Sequence, residues 1–238
     1  FVMFGTMLDR AGGGAFFTRL AISGLGQYRG GAAKAAVVSS ALSGTVSGSS
    51  IANVVTTGTF TIPLMKRLGY PAKKAAAIEV ASSVNGQLAP PVMGAAAFII
   101  AEYVNVPYIE VAKAAAVPAF VSYVGLLWIT HIEACKLGLK GLPKSELPRF
   151  WTELKNGLHY LLPLFVLIWE LVVEMHSAEM SVFRAILVLA FLMVFQPVVI
   201  AKVHNADMWA AFKFGVKNAL SSMAAGANNM AGVALATA

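Results

Sequence analysis

The stretch AAVVSSALSGTVSGSSIANVVTTGTFTIPLM, Ala35–Met65, decides the fold. It has no charged residue, yet eleven of the twenty-three residues in Ser39–Thr61 are Ser or Thr. One bilayer crossing takes about 20 mostly apolar residues, so two crossings need about 40. The 31 residues here are too few for two crossings, and SGTVSGSS (43–50) is too polar for a straight lipid-facing helix. We predict a re-entrant helical hairpin at 35–65, with its tip near mid-membrane.

Basic residues flank this stretch on both sides. They are Arg29 and Lys34 before it and Lys66, Arg67, Lys73 and Lys74 after it. Lys and Arg collect on the cytoplasmic side of membrane proteins, which favours a hairpin with both ends in the cytoplasm. A second explanation of the glycines stays open, since Gly44 and Gly48 are four residues apart and could serve only to let two helices pack closely.

The composition is that of an all-α polytopic membrane protein. Of the 238 residues, 58% are hydrophobic and 12% are charged, with a mean hydropathy of +0.72. This excludes a soluble globular protein and makes the lipid bilayer a partner. The net charge of +7 comes from basic residues in short loops between apolar segments, so membrane topology explains it and no nucleic-acid partner is expected. The single Cys135 excludes a disulfide within the chain.

A second interruption lies in Ala75–Ala101, which is long enough to cross the membrane. NGQLAPP (85–91) places Asn, Gly, Gln and two prolines within seven residues. Adjacent prolines remove helical donors, so we predict an unwound crossing helix, with a simple proline kink as the alternative. Glu79, in the cytoplasmic half of this span, should face the protein interior. It could be a ligand or gate, or a member of a structural ion pair.

The remaining organisation follows from the loop charges. We predict the end of a span plus an interfacial arm helix at 1–34, a return span after the broken one within 75–132, and a cytoplasmic loop at 133–157. Residues 158–238 form the first, truncated part of a second repeat, with an interfacial helix Trp209–Leu220 and a new outward span from Leu220. The apolar runs at both ends, FVMFGTML and GVALATA, look like cuts through helices. We therefore expect a partial chain.

No enzyme motif is visible. HExxH, GxSxG, a P-loop and GxGxxG before a helix are all absent, so we expect neither an enzyme nor an organic cofactor. The four histidines lie far apart, and no transition-metal site is expected: His131, His159, His176 and His204.

The two interruptions point to a cation site. Where a helix unwinds, its free carbonyls can surround a small hard cation with help from hydroxyls. The candidate sodium ligands are Ser43, Gly44, Ser47, Ser49, Asn85, Gly86 and Pro90. Each serine could instead bond back to its own helix. The N-terminus of the second half-helix suits a carboxylate, and its candidate residues for a substrate carboxylate are Ser49, Ser50 and Asn53.

These segments resemble a known family. ALSGTVSGSSIANVVTTGTFTIPLMKRLGYP, SSVNGQLAPPVMGAAAFIIAEYVNVPYIEVAKAA and the HIEACKLGLKGLP loop are similar, in this order, to the large membrane (permease) subunit of tripartite ATP-independent periplasmic (TRAP) transporters. The likeness is closest to the branch with fused 4TM and 12TM subunits and a TAXI-type binding protein. It runs almost from Phe1 to Lys144, and it is weaker over Leu158–Ala238.

The resemblance implies an elevator-type transporter with inverted repeats, in the bacterial or archaeal cytoplasmic (inner) membrane. It implies import of organic acids with Na⁺ as coupling ion. The expected partners are an extracytoplasmic (periplasmic) solute-binding protein and a small membrane subunit fused upstream of Phe1. A second hairpin with its own sodium site would lie beyond Ala238. The main alternative is an ion channel or pore, because re-entrant loops also build selectivity filters.

Overall fold

The chain is helical throughout the computed structural model, which describes residues 1–203 and 207–237. Over these ranges the structure has eleven α-helices, two short 3-10 turns (Lys144–Glu146 and Leu158–Tyr160) and no strand. The helices are α1 (Val2–Ala11), α2 (Gly13–Leu25), α3 (Gly31–Ser47), α4 (Ser50–Arg67), α5 (Ala72–Gly86), α6 (Ala95–Val104), α7 (Tyr108–Lys136), α8 (Phe150–Gly157), α9 (Leu161–Val172), α10 (Ala178–Val203) and α11 (Met208–Thr237). The all-α prediction is confirmed for the described residues.

The chain divides into two compact units. Gly13–Gly157 forms one, and Phe1–Gly12 together with Leu158–Ala238 forms the other. The second unit includes the range 158–238 that we expect to be part of a second repeat, and the repeat itself stays a prediction. Our range 1–34 straddles the two units, because α1 packs with α10 and α11, whereas α2 packs with α3.

In the Gly13–Gly157 unit, α3 and α4 form a helical hairpin that packs on α5. The chain reverses at Gly48, whose φ of +59° is left-handed and therefore favours glycine. Ser49 begins the second helix, since its Oγ accepts a hydrogen bond from Ala52 N at 3.3 Å. The two helices extend beyond the predicted 35–65 at both ends. The placement of the tip within a membrane stays a prediction.

The crossing segment is interrupted by irregular backbone. Helix α5 ends at Gly86 and α6 begins at Ala95, with a cis Pro90–Pro91 peptide and a positive φ of 53° at Met93 between them. The residues between the two helices therefore form a connection without helical structure, and not a kink in one continuous helix.

The polar end of this unit is held together by the loops that we predicted to be cytoplasmic. Tyr70 is buried in a cluster with Met65, Ala75 and Leu139, and burial, with smaller effects of Glu133 and Cys135, raises the pKa of its hydroxyl to about 12. Ion pairs join Arg67 to Glu146 and Lys74 to Glu133. The predicted loop 133–157 is partly helical, since it contains α8, which packs on α2.

The other unit contains α1, α9, α10 and α11. Tyr160 donates a hydrogen bond to Ala11 O and accepts one from Gln196 Nε2, both at 2.9 Å. The predicted division of the last segment at Leu220 is wrong, because α11 runs without interruption from Met208 to Thr237. No Gly or Pro lies within four residues of Leu220, and the hydroxyls of Ser221 and Ser222 bond back to the helix. His204 lies outside the described residues.

Two described helices are long and apolar enough to cross a membrane: Tyr108–Lys136 and Ala178–Lys202. Helix α7 exposes a band of large apolar side chains, with Val117 69%, Phe120 71% and Trp128 66% exposed. Such a band suits a lipid or protein environment and not water.

Candidate functional site

The hairpin tip and the interrupted segment meet in the Gly13–Gly157 unit. The closest approach is between Gly44 on α3 and Gly86 at the end of α5: a Cβ on Gly44 would lie 2.4 Å from Gly86 Cα. A Cβ on Gly48 would lie 2.4 Å from the carbonyl oxygen of Met93. Glycine at these positions therefore lets the two backbones touch. Gly44 and Gly86, both candidate ligands, are brought together.

Polar contacts also join the two stretches. Val92 N donates to the carbonyl oxygen of Thr45 at 3.2 Å, and Gln87 Nε2 donates to Ser50 Oγ at 3.3 Å. The role of Gln87 was not predicted, although its place in NGQLAPP was a signal. These contacts hold the irregular backbone against the hairpin tip.

Two buried oxygens near this contact have no hydrogen-bond partner among the described residues: Ser43 Oγ and Asn53 Oδ1. Both residues are 1% exposed. The amide nitrogen of Asn53 donates to Ser40 O at 3.0 Å, which fixes the side chain between α3 and α5. An unpaired buried acceptor costs about 1–3 kcal/mol. The two oxygens are thus available to a ligand that prefers oxygen.

The other candidate sodium ligands have different surroundings. Ser47 Oγ donates to Ser49 O at 3.4 Å, while Ser49 Oγ caps α4. The side chain of Asn85 donates to Ser122 Oγ on α7 at 2.7 Å, so its amide is engaged with α7 and not with the tip. Pro90 is half-buried in the connection. The connection 87–94 contains no Asp or Glu, so it offers the tip backbone groups and the amide of Gln87 but no carboxylate.

The candidate carboxylate-binding residues separate into two groups. Ser49 and Ser50 are half-exposed at the N-terminus of α4, where backbone N–H groups and the helix dipole favour an anion. Asn53, one turn further on, is buried. An anion that approached this helix end would meet the two serines first.

Tyr108, at the start of α7, was missed by sequence reasoning. Its hydroxyl lies 2.8 Å from the carbonyl oxygen of Pro91 and 2.6 Å from that of Val92. The ring also stacks on Phe98, with centroids 4.4 Å apart. One side chain thereby positions the carbonyls that follow the two prolines.

A separate polar cluster surrounds Glu79. Its carboxyl group is fully buried and is contacted by hydroxyls from three helices: Ser40, Thr57, Thr61 and Ser83. No described residue forms an ion pair with it. The structural ion pair that the sequence left open for Glu79 is therefore not found among these residues, and hydroxyl groups contact the carboxyl group instead. The spacing of four between Thr57 and Thr61 was a signal that both lie on one helix face.

Residues 1–238 match the family model of the tripartite ATP-independent periplasmic transporter, DctM component. The chain belongs to this family. A DctM component is the membrane permease of its transporter, and the chain is therefore an integral membrane protein. The resemblance seen in the sequence is confirmed at the level of the family.

Two curated relatives are similar over part of their length. The C4-dicarboxylate TRAP transporter large permease protein DctM of Rhodobacter capsulatus is 28% identical over 180 residues, which are 71% of this chain and 41% of the relative. The uncharacterized protein y4mL of Sinorhizobium fredii (strain NBRC 101917 / NGR234) is 30% identical over 165 residues, 62% of this chain and 39% of the relative. The chain thus spans about two fifths of the length of these relatives.

Proposed function

We propose that this chain forms part of a sodium-coupled permease that imports organic acids. The observation that carries the proposal is the contact of the hairpin with the interrupted segment: Gly44 meets Gly86 at the end of α5, and Gly48 meets Met93 in the 87–94 connection. Broken helices that line a cavity are the usual ion and substrate sites of secondary transporters. The family membership supports the same class of function.

The ion in this proposal is Na⁺, held by oxygens of the tip and of the connection. Its ligands are neutral oxygens, which suit a hard cation. They are the unpartnered Ser43 Oγ and the backbone oxygens of Ser47, Ser49 and Gly86. The substrate carboxylate binds at the half-exposed Ser49 and Ser50. Because the named relative from Rhodobacter capsulatus is a C4-dicarboxylate permease, a C4-dicarboxylate is the first substrate to test.

The proposal includes partners and a location. An extracytoplasmic solute-binding protein delivers the substrate, and a small membrane subunit completes the permease, fused to it as in the TAXI-type branch. The hairpin enters the cytoplasmic membrane from the cytoplasmic side, and the domain that carries it moves as an elevator. These features agree with the family and with the apolar band on α7.

The test is uptake by the intact transporter in proteoliposomes with its binding protein. Radiolabelled succinate should accumulate when an inward sodium gradient is imposed, and the rate should saturate with both succinate and sodium. Uptake at the same rate with potassium in place of sodium would contradict sodium coupling. An ohmic conductance without saturation would favour the channel alternative.

A further inference from the structure

We propose that Glu79 is a proton-binding site inside the Gly13–Gly157 unit, distinct from the sodium site at the tip. We also propose that its neutral form keeps α3 and α4 packed on α5. The proposal goes beyond the sodium-coupled function and does not depend on it. It rests on the position of one carboxyl group and on the partners available to it.

The carboxyl group lies at the junction of three helices. Oε1 is contacted by Ser40 Oγ of α3 at 3.2 Å, by Thr57 Oγ1 of α4 and by Ser83 Oγ of α5 at 3.5 Å. Oε2 is contacted by Thr61 Oγ1 of α4. The carboxyl group is therefore the common hydrogen-bond partner through which the hairpin and α5 are joined.

Basic groups are absent from this cluster among the described residues. The charged or titratable side chains on the helices packed around it are Arg19 on α2, Lys34 on α3, Lys66 and Arg67 on α4, Lys73 and Lys74 on α5, and Tyr108, Glu110, Lys113, Tyr123, His131, Glu133, Cys135 and Lys136 on α7. Lys34 contacts His131, Arg67 pairs with Glu146 and Lys74 pairs with Glu133. On α5 the nearest charged residue is Lys74, five positions before Glu79, and on α4 it is Lys66, five positions after Thr61. Five positions correspond to about 7.5 Å along a helix.

The surrounding hydroxyls can serve either protonation state. Thr57 Oγ1 lies 2.8 Å from Asn53 O, and Thr61 Oγ1 lies 3.0 Å from Thr57 O. Each hydroxyl has one proton and can also accept. When Glu79 is a carboxylate, the hydroxyls donate to it. When it is a carboxylic acid, the threonine beside the protonated oxygen donates to its backbone carbonyl and accepts the acid proton, and the other threonine still donates to the unprotonated carboxyl oxygen.

Uptake of one proton therefore needs no rearrangement of the helices. The carboxylate gains the proton on one Oε, and the hydroxyl proton of the threonine beside that oxygen rotates to a backbone oxygen. A proton fits this site better than a metal ion because the hydroxyls contact the carboxyl group directly and leave no space between them.

The proton affects how the hairpin packs. A carboxylate buried without a positive partner is costly, because water would solvate the charge. Loss of the proton therefore favours separation of the hairpin from α5, and binding of the proton favours the packed form. By linkage, opening of the hairpin releases a proton. The hairpin thus responds to pH as well as to the ligands at its tip.

Infrared difference spectroscopy of the intact protein tests this directly, with pH as the only variable. Wild type should show the carbonyl stretch of a protonated carboxylic acid that disappears as pH rises. Glu79→Gln, which mimics the neutral form, should lose this band. Glu110→Gln, which removes an exposed glutamate paired with Lys113, should keep it. Identical spectra of wild type and Glu79→Gln would overturn the proposal.

Backbone hydrogen exchange over residues 40–61, corrected for its intrinsic pH dependence, tests the effect on packing. Exchange should become faster at high pH in wild type and stay slow in Glu79→Gln. Equal pH dependence in both proteins would overturn the link to packing. If Glu79→Gln does not fold, Glu79→Asp should retain the band at a displaced frequency, and an unshifted band would assign it to another residue. None of these measurements requires transport.

Discussion

The hydroxyl of Tyr108 lies 2.6 Å from the carbonyl oxygen of Val92. Val92 belongs to the connection between α5 and α6, the two helices of one predicted span. Tyr108 begins α7, and Val92 lies in the connection after the two prolines. Backbone carbonyls in irregular structure need a partner when they are buried, and this tyrosine provides one. The geometry of the interrupted segment therefore depends on a residue of the following helix.

Tyr108→Phe should loosen the connection. The substitution keeps the ring that stacks on Phe98 and removes the hydroxyl, whose one proton lies between the carbonyls of Pro91 and Val92, at a cost of about 1–3 kcal/mol. Thermal unfolding of the purified intact transporter should shift to lower temperature, and the sodium concentration for half-maximal uptake should rise. Tyr103→Phe is the matched control, since Tyr103 is 87% exposed. Equal behaviour of the two variants would contradict a positioning role for Tyr108.

Gly44→Ala should separate the hairpin from α5. A methyl group would lie 2.4 Å from Gly86 Cα, and backbone atoms cannot move aside as a flexible side chain can. Overpacking of this kind typically costs about 1–3 kcal/mol. Loss of thermal stability and of uptake is the expected result. Gly125→Ala on α7 is the control, because its Cβ would meet nothing within 4 Å and should leave both quantities unchanged.

The sequence predicted the interruptions in this fold better than the contacts. SGTVSGSS and NGQLAPP could be located because Gly and Pro act locally on the backbone, whatever the surroundings. The structure places the turn at Gly48 and the connection at 87–94, inside or next to these stretches. Lys and Arg collect in the loop before residue 158, where the compact units divide, but the second repeat expected to begin there stays a prediction.

Contacts between helices were harder to predict, because they depend on how the helices rotate in the fold. The amide of Asn85 was expected at the tip, but the structure pairs it with Ser122, 37 positions away. The hydroxyls around Glu79 come from three helices, and a spacing of four residues relates Thr57 to Thr61 and Glu79 to Ser83, whereas the contact with Ser40 has no such signal. The continuous α11 was missed because Lys213 and Lys217 suggested an interfacial helix that would end before the apolar residues.

Membrane topology gives a third prediction. Residues 29 and 73 should be cytoplasmic, and Asn105 and Ser177 should be outside, because Lys and Arg mark the inner side. Arg29, Lys73, Asn105 and Ser177 are all exposed, so single cysteines at these positions in a Cys135→Ser background can react. A membrane-impermeant maleimide should label positions 105 and 177 in intact cells and positions 29 and 73 only in inverted vesicles. Labelling of 29 and 73 from opposite sides would exclude the re-entrant hairpin.

The two prolines of the connection give a fourth prediction. Replacing Pro90 and Pro91 by Ala restores two backbone donors and should let α5 extend toward α6. The carbonyls that the connection offers would then be used within the helix, so the sodium dependence of uptake should weaken. A loss of stability with an unchanged sodium response would instead mean that the prolines only shape the backbone. Sodium titration of uptake, normalised to the amount of protein in the membrane, separates the two results.

The last prediction is that Na⁺ binds at the tip before and alongside the substrate. Neither the tip (43–50) nor the stretch 85–94 contains Asp or Glu, so the site that they form is neutral, and its affinity depends on the number of oxygens and the size of the cavity. Coupling requires that sodium order the tip and thereby lower the cost of substrate binding. Such a reciprocal linkage is typically about 1–3 kcal/mol.

We therefore expect a higher sodium concentration for half-maximal uptake, with unchanged membrane insertion, in three variants: Ser47→Ala, Ser43→Ala and Asn85→Ala. Ser43 has an unpartnered buried oxygen, so its loss removes a ligand and breaks no hydrogen bond within the described residues. Asn85 also donates to Ser122, and Ser122→Ala reports on that contact alone. If Ser122→Ala reproduces the effect of Asn85→Ala, the asparagine acts by positioning α5. If Ser43→Ala and Ser47→Ala both keep wild-type sodium dependence, the ion binds elsewhere and the serines of the tip serve only in helix packing.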